Sequence, residues 1–217
     1  MTLDDALAEV PVVAIVRGVT PAEILPLAEA LHDAGLRAVE IPLNSPEPLE
    51  SLRRLAREWG GRMVVGAGTV LTPDAVDAVE AAGGRLIVAP NTDPAVIARA
   101  LHHGLVPAPG MATATEAFAA LAAGARHLKL FPAATYGPGH LKQLRAVLPR
   151  ETPVWAVGGV GPANLELWRE AGATAFGVGS DIYRPGQSAE VSHGKARAFV
   201  EAWRTLRRRY EPAPAPL

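Results

Sequence analysis

The chain has 217 residues, 49% of them hydrophobic, with 21 basic and 22 acidic side chains and a formal net charge of −1. This length and balance fit one large domain with a substantial core, and they exclude a disordered chain, a basic nucleic-acid footprint and a general polyanion binder. The absence of cysteine excludes disulfides, thiolate catalysis and cysteine-ligated metals.

The first stretch, Met1 to Glu9, carries Asp4, Asp5 and Glu9 and lacks the basic start and apolar core of a signal peptide. No later run approaches the roughly 18 apolar residues of a membrane span, so a soluble cytoplasmic protein with no membrane or nucleic-acid partner is expected. Beyond it, alanine-rich helical stretches end repeatedly in a glycine: Ala34-Gly35, Ala82-Gly83, His103-Gly104, Ala123-Gly124 and Ala171-Gly172. Glycine in that place stops a helix because it accepts left-handed dihedrals without strain. Helix starts are expected at Thr20-Pro21, Ser45-Pro46, Thr72-Pro73, Asp93-Pro94 and Gly161-Pro162, where a capping or turn residue precedes a proline suited to the first helical position.

Between these marks lie short apolar runs that read as strands near 12–17, 37–43, 63–68, 86–90, 105–109, 126–131, 153–158 and 174–179. Each is followed by a helical segment, the pattern of parallel strands buried on both faces. Eight such units predict a closed (β/α)8 TIM barrel of the α/β class, a single domain over 1–210, with a last helix near 189–209 and an extended Pro/Ala-rich tail over 211–217. An open doubly wound sheet is the alternative, and the missing Gly-x-Gly-x-x-Gly turn after the first strand counts against it.

Barrel enzymes carry their chemistry at the C-terminal strand ends, so each strand's last residues are the candidates. The first delivers Arg17 and Gly18, the second Glu40 and Asn44, the third Gly66 to Thr69, and the fourth Pro90 and Asn91. The fifth delivers Pro109 and Gly110, the sixth Lys129, the seventh Val157, Gly158 and Gly159, and the eighth Gly179 and Ser180.

Lys129 lies in the apolar run His-Leu-Lys-Leu-Phe-Pro, where a charge is costly. The chain has 18 arginines and three lysines, at 129, 142 and 195, so a cation with no special chemical duty would usually be arginine here. Arginine keeps its proton, whereas a desolvated lysine becomes a neutral amine and attacks carbonyls. Lys129 therefore reads as a Schiff-base nucleophile. Glu40, equally isolated among apolar residues, reads as its proton shuttle across the barrel; a purely structural ion pair is the competing reading.

Backbone N–H groups at Gly158, Gly159, Gly179 and Ser180 read as a phosphate cradle. Arg17 and Thr69 read as holding a substrate carboxylate, and Asn44 as contacting a hydroxyl; their structural alternatives are a salt bridge to Glu40, a helix cap and a turn. The histidines at 32, 102, 103, 127, 140 and 193 show no metal-ligand spacing, so no catalytic metal is expected. Trp155, Trp168 and Trp203 read as core or interface aromatics, and Arg204, Arg207, Arg208 and Arg209 as a solvated helix end.

Six segments together resemble the class I 2-keto-3-deoxy-6-phosphosugar acid (KDPG/KHG) aldolases. They are Val-Glu-Ile-Pro-Leu-Asn-Ser-Pro from Val39, Gly-Ala-Gly-Thr-Val-Leu from Gly66, Pro-Gly-Met-Ala-Thr-Ala-Thr-Glu-Ala from Pro109, Leu-Lys-Leu-Phe-Pro from Leu128, Ala-Val-Gly-Gly-Val from Ala156, and Gly-Val-Gly-Ser-Asp-Ile-Tyr-Arg from Gly177. The resemblance implies Lys129 as the Schiff-base lysine, Glu40 as proton shuttle, Arg17 and Thr69 as substrate contacts, and the four glycine-loop residues as the phosphate cradle. It implies pyruvate and glyceraldehyde 3-phosphate as products of a phosphorylated 2-keto-3-deoxy sugar acid, no cofactor, and a homo-oligomer, commonly a trimer. Asn44 and Val157 stand where the gluconate-type members carry Arg and Thr. With Tyr183 to Ser188, they look like the galactonate branch. A gluconate-type or hydroxyketoglutarate aldolase, a non-catalytic phosphosugar-binding barrel and a metal-dependent epimerase are the alternatives.

Overall fold

The computed structural model describes residues 1–210; the tail expected over 211–217 lies outside the described residues. In chain order the elements are α1 (Leu3–Glu9), β1 (Val12–Ile15), α2 (Ile24–Asp33), β2 (Ala38–Pro42), α3 (Pro48–Trp59), β3 (Val64–Gly68), α4 (Pro73–Ala81), β4 (Leu86–Val88) and α5 (Pro94–His102). There follow β5 (Val106–Ala108), β6 (Gly110–Met111), α6 (Ala114–Ala122), β7 (Leu128–Leu130), α7 (Ala133–Arg145), β8 (Val154–Val157), α8 (Leu165–Glu170), β9 (Ala175–Val178) and α9 (Ala189–Tyr210). All strand pairs are parallel, in the order β5-β4-β3-β2-β1-β9-β8-β7-β6.

The two ends of that order are consecutive in the chain. β5 pairs with β4 through Val88 and Ala108, and β6 pairs with β7 through Gly110 and Lys129. The fifth strand thus continues past its expected end at 109, bending at Pro109 into Gly110–Met111, and this continuation closes the expected eight-unit barrel. Proline suits the bend because it has no N–H to leave unpaired, while its carbonyl accepts the Lys129 N–H at 2.9 Å. Gly110 is needed because a Cβ there would overlap the Pro90 carbonyl.

Side-chain alternation along the strands makes two cores. One, between strands and helices, gathers residues such as Val12, Ala14, Val39, Ile41, Leu128 and Leu130. The other fills the barrel with Val13, Ile15, Ala38, Val64, Leu86, Val88, Ala108, Trp155, Val157 and Ala175, joined by Leu3 and Ala6 of α1. That helix, which the sequence reading does not assign, closes the N-terminal mouth. Thr2 and Asp5 form a reciprocal capping box at its start.

All five helix-stop glycines have positive φ, from 68° at Gly104 to 106° at Gly35. Thr72 and Asp93 cap α4 and α5 as expected. The other three starts fall later in the chain, after turns or loop contacts that engage these residues first. The N–H and hydroxyl of Thr20 donate to the Glu23 carboxylate, Ser45 Oγ accepts the Gly18 N–H, and the Gly161 N–H donates to Asn164 Oδ1. The helices therefore begin at Ile24, Pro48 and Leu165. No described helix is long and apolar enough to cross a membrane.

Candidate active site

Glu40 on β2 and Lys129 on β7 face each other across the barrel axis. Three strands separate them on either path: β1, β9 and β8 one way, β3, β4 and the bent β5/β6 the other. Glu40 is 2% exposed and Lys129 5%. Both line a narrow chamber walled by Val13, Ile15, Val88, Trp155, Val157 and Gly177.

These apolar walls determine the electrostatics. Burial pushes the Glu40 carboxyl up to about 7, against the opposing pull of Lys129 and Arg17. Burial likewise pushes the Lys129 ammonium below its ordinary value, with Glu40 opposing and Arg17 assisting. Burial thus draws each group toward its neutral form. Among the described residues no ion pair joins the two, and Glu40 Oε2 has no hydrogen-bond partner. A structural salt bridge would satisfy that oxygen. The Lys129 ammonium stands instead 4.8 Å from the centroid of the Phe131 ring, just before the cis Phe131–Pro132 peptide.

The remaining candidates ring the mouth above. Arg17 donates to Asn44 Oδ1, joining the loops after β1 and β2, and no ion pair to Glu40 is formed by it. Thr69, directly after β3, has φ 57°, a strained conformation for a β-branched residue. Val157 closes one wall of the chamber, and a Cβ on Gly177 would come within 2.7 Å of its Cγ2.

Gly158 and Gly159 turn the chain sharply after β8, at φ 97° and 74°. Among the described residues, the N–H groups of Gly159 and Ser180 donate to no protein acceptor. Asn164, which the sequence reading missed, braces this turn: its Nδ2 donates to the Gly159 carbonyl at 2.8 Å and its Oδ1 accepts the Gly161 N–H at 2.9 Å. Its sequence signal was an asparagine just before an apolar helical run, an ordinary cap position. Ser45, Phe131 and the chamber face of Trp155 were also missed as site residues.

Among the described residues, no three His, Asp or Glu side chains gather where they could hold a metal. His127 is buried at the start of β7, 3.4 Å from Asp4 of α1 and edge-on to Trp155, which makes it structural. Trp155 and Trp168 are core residues, as expected. Arg209 pairs with Glu166 across α8 and α9.

A closed barrel with an amine and a carboxylate buried on its axis is built to act on a carbonyl compound entering from the C-terminal mouth. The chain belongs to the KDPG and KHG aldolase family, whose model matches residues 3–193. A 2-dehydro-3-deoxy-6-phosphogalactonate aldolase of Escherichia coli (strain K12) is 50% identical over 196 residues, which cover 90% of this chain and 96% of that protein. A solved structure described as native KDPGal matches with a TM-score of 0.89 at 50% identity, over 91% of this chain and 96% of that one. The Legionella pneumophila KDPG aldolase, solved with pyruvate captured as a covalent carbinolamine, matches with a TM-score of 0.76 at 27% identity, over 91% and 94% of the two chains.

Proposed function

We propose that this chain cleaves 2-dehydro-3-deoxy-6-phosphogalactonate reversibly to pyruvate and glyceraldehyde 3-phosphate through a Schiff base on Lys129. The observation that carries the reading is the unpaired amine and carboxylate, buried together and each drawn toward neutrality. The neutral amine of Lys129 adds to the C2 ketone, and loss of water from the carbinolamine leaves an iminium. The Glu40 carboxylate takes the proton of the C4 hydroxyl. The C3–C4 bond then breaks, its electron pair moving into the iminium to give the enamine as the aldehyde departs. Glu40 returns a proton toward C3, and water hydrolyses the resulting iminium to release pyruvate and free lysine. The iminium is the electron sink, so the route calls on no metal or organic cofactor.

In this reading Arg17 and Thr69 hold the C1 carboxylate, Asn44 reads a hydroxyl, and the Gly158, Gly159, Gly179 and Ser180 backbone holds the 6-phosphate. Val157 supports the galactonate epimer over the gluconate one, since it borders the chamber in which the C4 bond breaks. The 50% identity to a galactonate-type protein supports the same choice. The test is intact-mass analysis after treatment with pyruvate and borohydride, with Lys129→Arg alongside. A reduced pyruvyl adduct that maps to Lys129 and is absent from the variant supports the reading. No adduct on folded wild type overturns it in favour of a binding barrel.

The working assembly is read as a cytoplasmic homotrimer. Leu101, Phe118 and Tyr136, large side chains exposed on the consecutive helices α5, α6 and α7, support a second copy covering that side. Light scattering at about three times the chain mass is expected, and a monomer overturns it.

A further inference from the structure

The loop from Tyr183 to Ser188, between β9 and α9, lies directly on the Arg17-Gly18 turn. Gly18 has φ 82°, and a Cβ placed on it would come within 2.6 Å of Pro185 Cγ. The turn is held from its other side by the loop after β2, through Arg17 to Asn44 and through the Gly18 N–H to Ser45 Oγ at 2.9 Å. The Arg17-Gly18 turn therefore lies between two loops that come from opposite neighbours of β1, touching the loop after β2 through the Arg17 side chain and the Gly18 N–H, and the Pro185 loop at Gly18.

The Pro185 loop is itself stitched to α9 by one side chain. Gln187 Nε2 donates to the Ile182 carbonyl and to Ser192 Oγ, both at 2.7 Å, and its Oε1 accepts Lys195 Nζ at 2.8 Å. Ser192 is fully buried, and both its N–H and its hydroxyl donate to the Ser188 carbonyl. This commitment of donors and acceptors is large for a loop whose Arg184, Pro185 and Gly186 are exposed. Fixing one loop end this firmly restrains the proline ring, and the ring restrains the turn beneath it.

We infer that Pro185, held by Gln187, is a positioning residue that fixes the Arg17 guanidinium for the substrate carboxylate. The inference rests on the role given to Arg17 above. A long exposed guanidinium loses much rotamer freedom when it grips a ligand, and a pre-set backbone lowers that cost. Arg17 also lowers the proton affinity of both Glu40 and Lys129, so its displacement reaches the reacting pair.

The experiment is steady-state cleavage by the full chain carrying Pro185→Ala, Gln187→Ala, Arg17→Ala and the Pro185→Ala/Arg17→Ala pair. Pro185→Ala is expected to raise KM about 5–10-fold with kcat held within about twofold, the signature of lost uniform binding. Its pH profile should shift upward as the guanidinium moves away. On the Arg17→Ala background the same change should alter KM by less than about twofold, because residues acting through one another are not additive. If Gln187→Ala fails to fold, the Pro185 cycle alone decides. Additive effects, or a lowered melting temperature with unchanged KM, overturn the inference. An unchanged KM in Arg17→Ala, or a wild type without cleavage, overturns instead the functional reading beneath it.

Discussion

The carboxylate of Glu40 occupies the space that a Cβ on Gly68 would fill. Gly68 closes β3 next to Pro42 of β2, so the smallest residue lies where the neighbouring strand sends its acid inward. Gly68→Ala is expected to push the carboxyl off the axis. It should destabilise the fold by about 1–3 kcal/mol through overpacking and lower kcat/KM by about 100-fold. Thermal melts with progress curves check this, and full activity in the variant would remove Glu40 from the proposed mechanism.

Stability should carry the imprint of the buried acid. With its folded carboxyl near 7 and its ordinary value at 4.5, Glu40 binds more protons folded than unfolded between those limits. Its stabilising contribution is thus full below 4.5 and is lost as pH rises through about 7, a change of about 3 kcal/mol. Lys129, with its folded amine lowered, acts in the other direction: stability lost as pH falls through its folded value returns toward 10.5. Denaturant midpoints at pH 5 and pH 7.5 should separate more in wild type than in Glu40→Gln. Equal separations would contradict the burial effect.

Thr69 holds its backbone at φ 57°, where a β-branched side chain costs about 1–3 kcal/mol. Thr69→Gly is expected to raise the melting temperature by about 2–4 °C and to raise KM several-fold, because the hydroxyl is lost along with the strain. Thr69→Ser should keep KM near wild type. If glycine leaves both quantities unchanged, the strain serves no ligand.

Val157 is 3% exposed and faces the Lys129 chamber. Val157→Thr replaces a methyl by a hydroxyl of nearly equal volume, and is expected to cost about 1 kcal/mol of stability. It should move the ratio of turnover on the two C4 epimers about tenfold toward the gluconate form. Parallel assays on both epimers measure it, and an unchanged ratio places the discrimination elsewhere.

Much of this arrangement was legible in the residues. Helix stops were readable because a left-handed carbon favours glycine locally, whatever surrounds it. The burial of Lys129 and Glu40 was readable because each interrupts an apolar strand. Three helix starts were misplaced: at Ser45 a tertiary contact from Gly18 claims the hydroxyl, while at Thr20 and Gly161 local bonds to Glu23 and Asn164, three residues on, shape a turn before the helix. Helix α1 went unseen because its short apolar face, Leu3 and Ala6, has meaning only against an open barrel mouth. The continuation beyond the bend at Pro109 was hidden for a similar reason: the strand reads as ending at 109, and only the pairing of Gly110 with Lys129 shows that it resumes against a different neighbour.

That bend sets a rule for change in this scaffold. A single residue separates the half-strand paired with β4 from the half-strand paired with β7, so the seam of the barrel has no slack. An insertion at Pro109 would shift one half by a residue against its partner, turning inward side chains outward and carrying Lys129's neighbour Gly110 out of register. A cut there would leave two bare strand edges, open to pairing with other chains. Length variation can accumulate in the loops beyond the other strands, whereas the seam admits replacement of residues but not a change in their number.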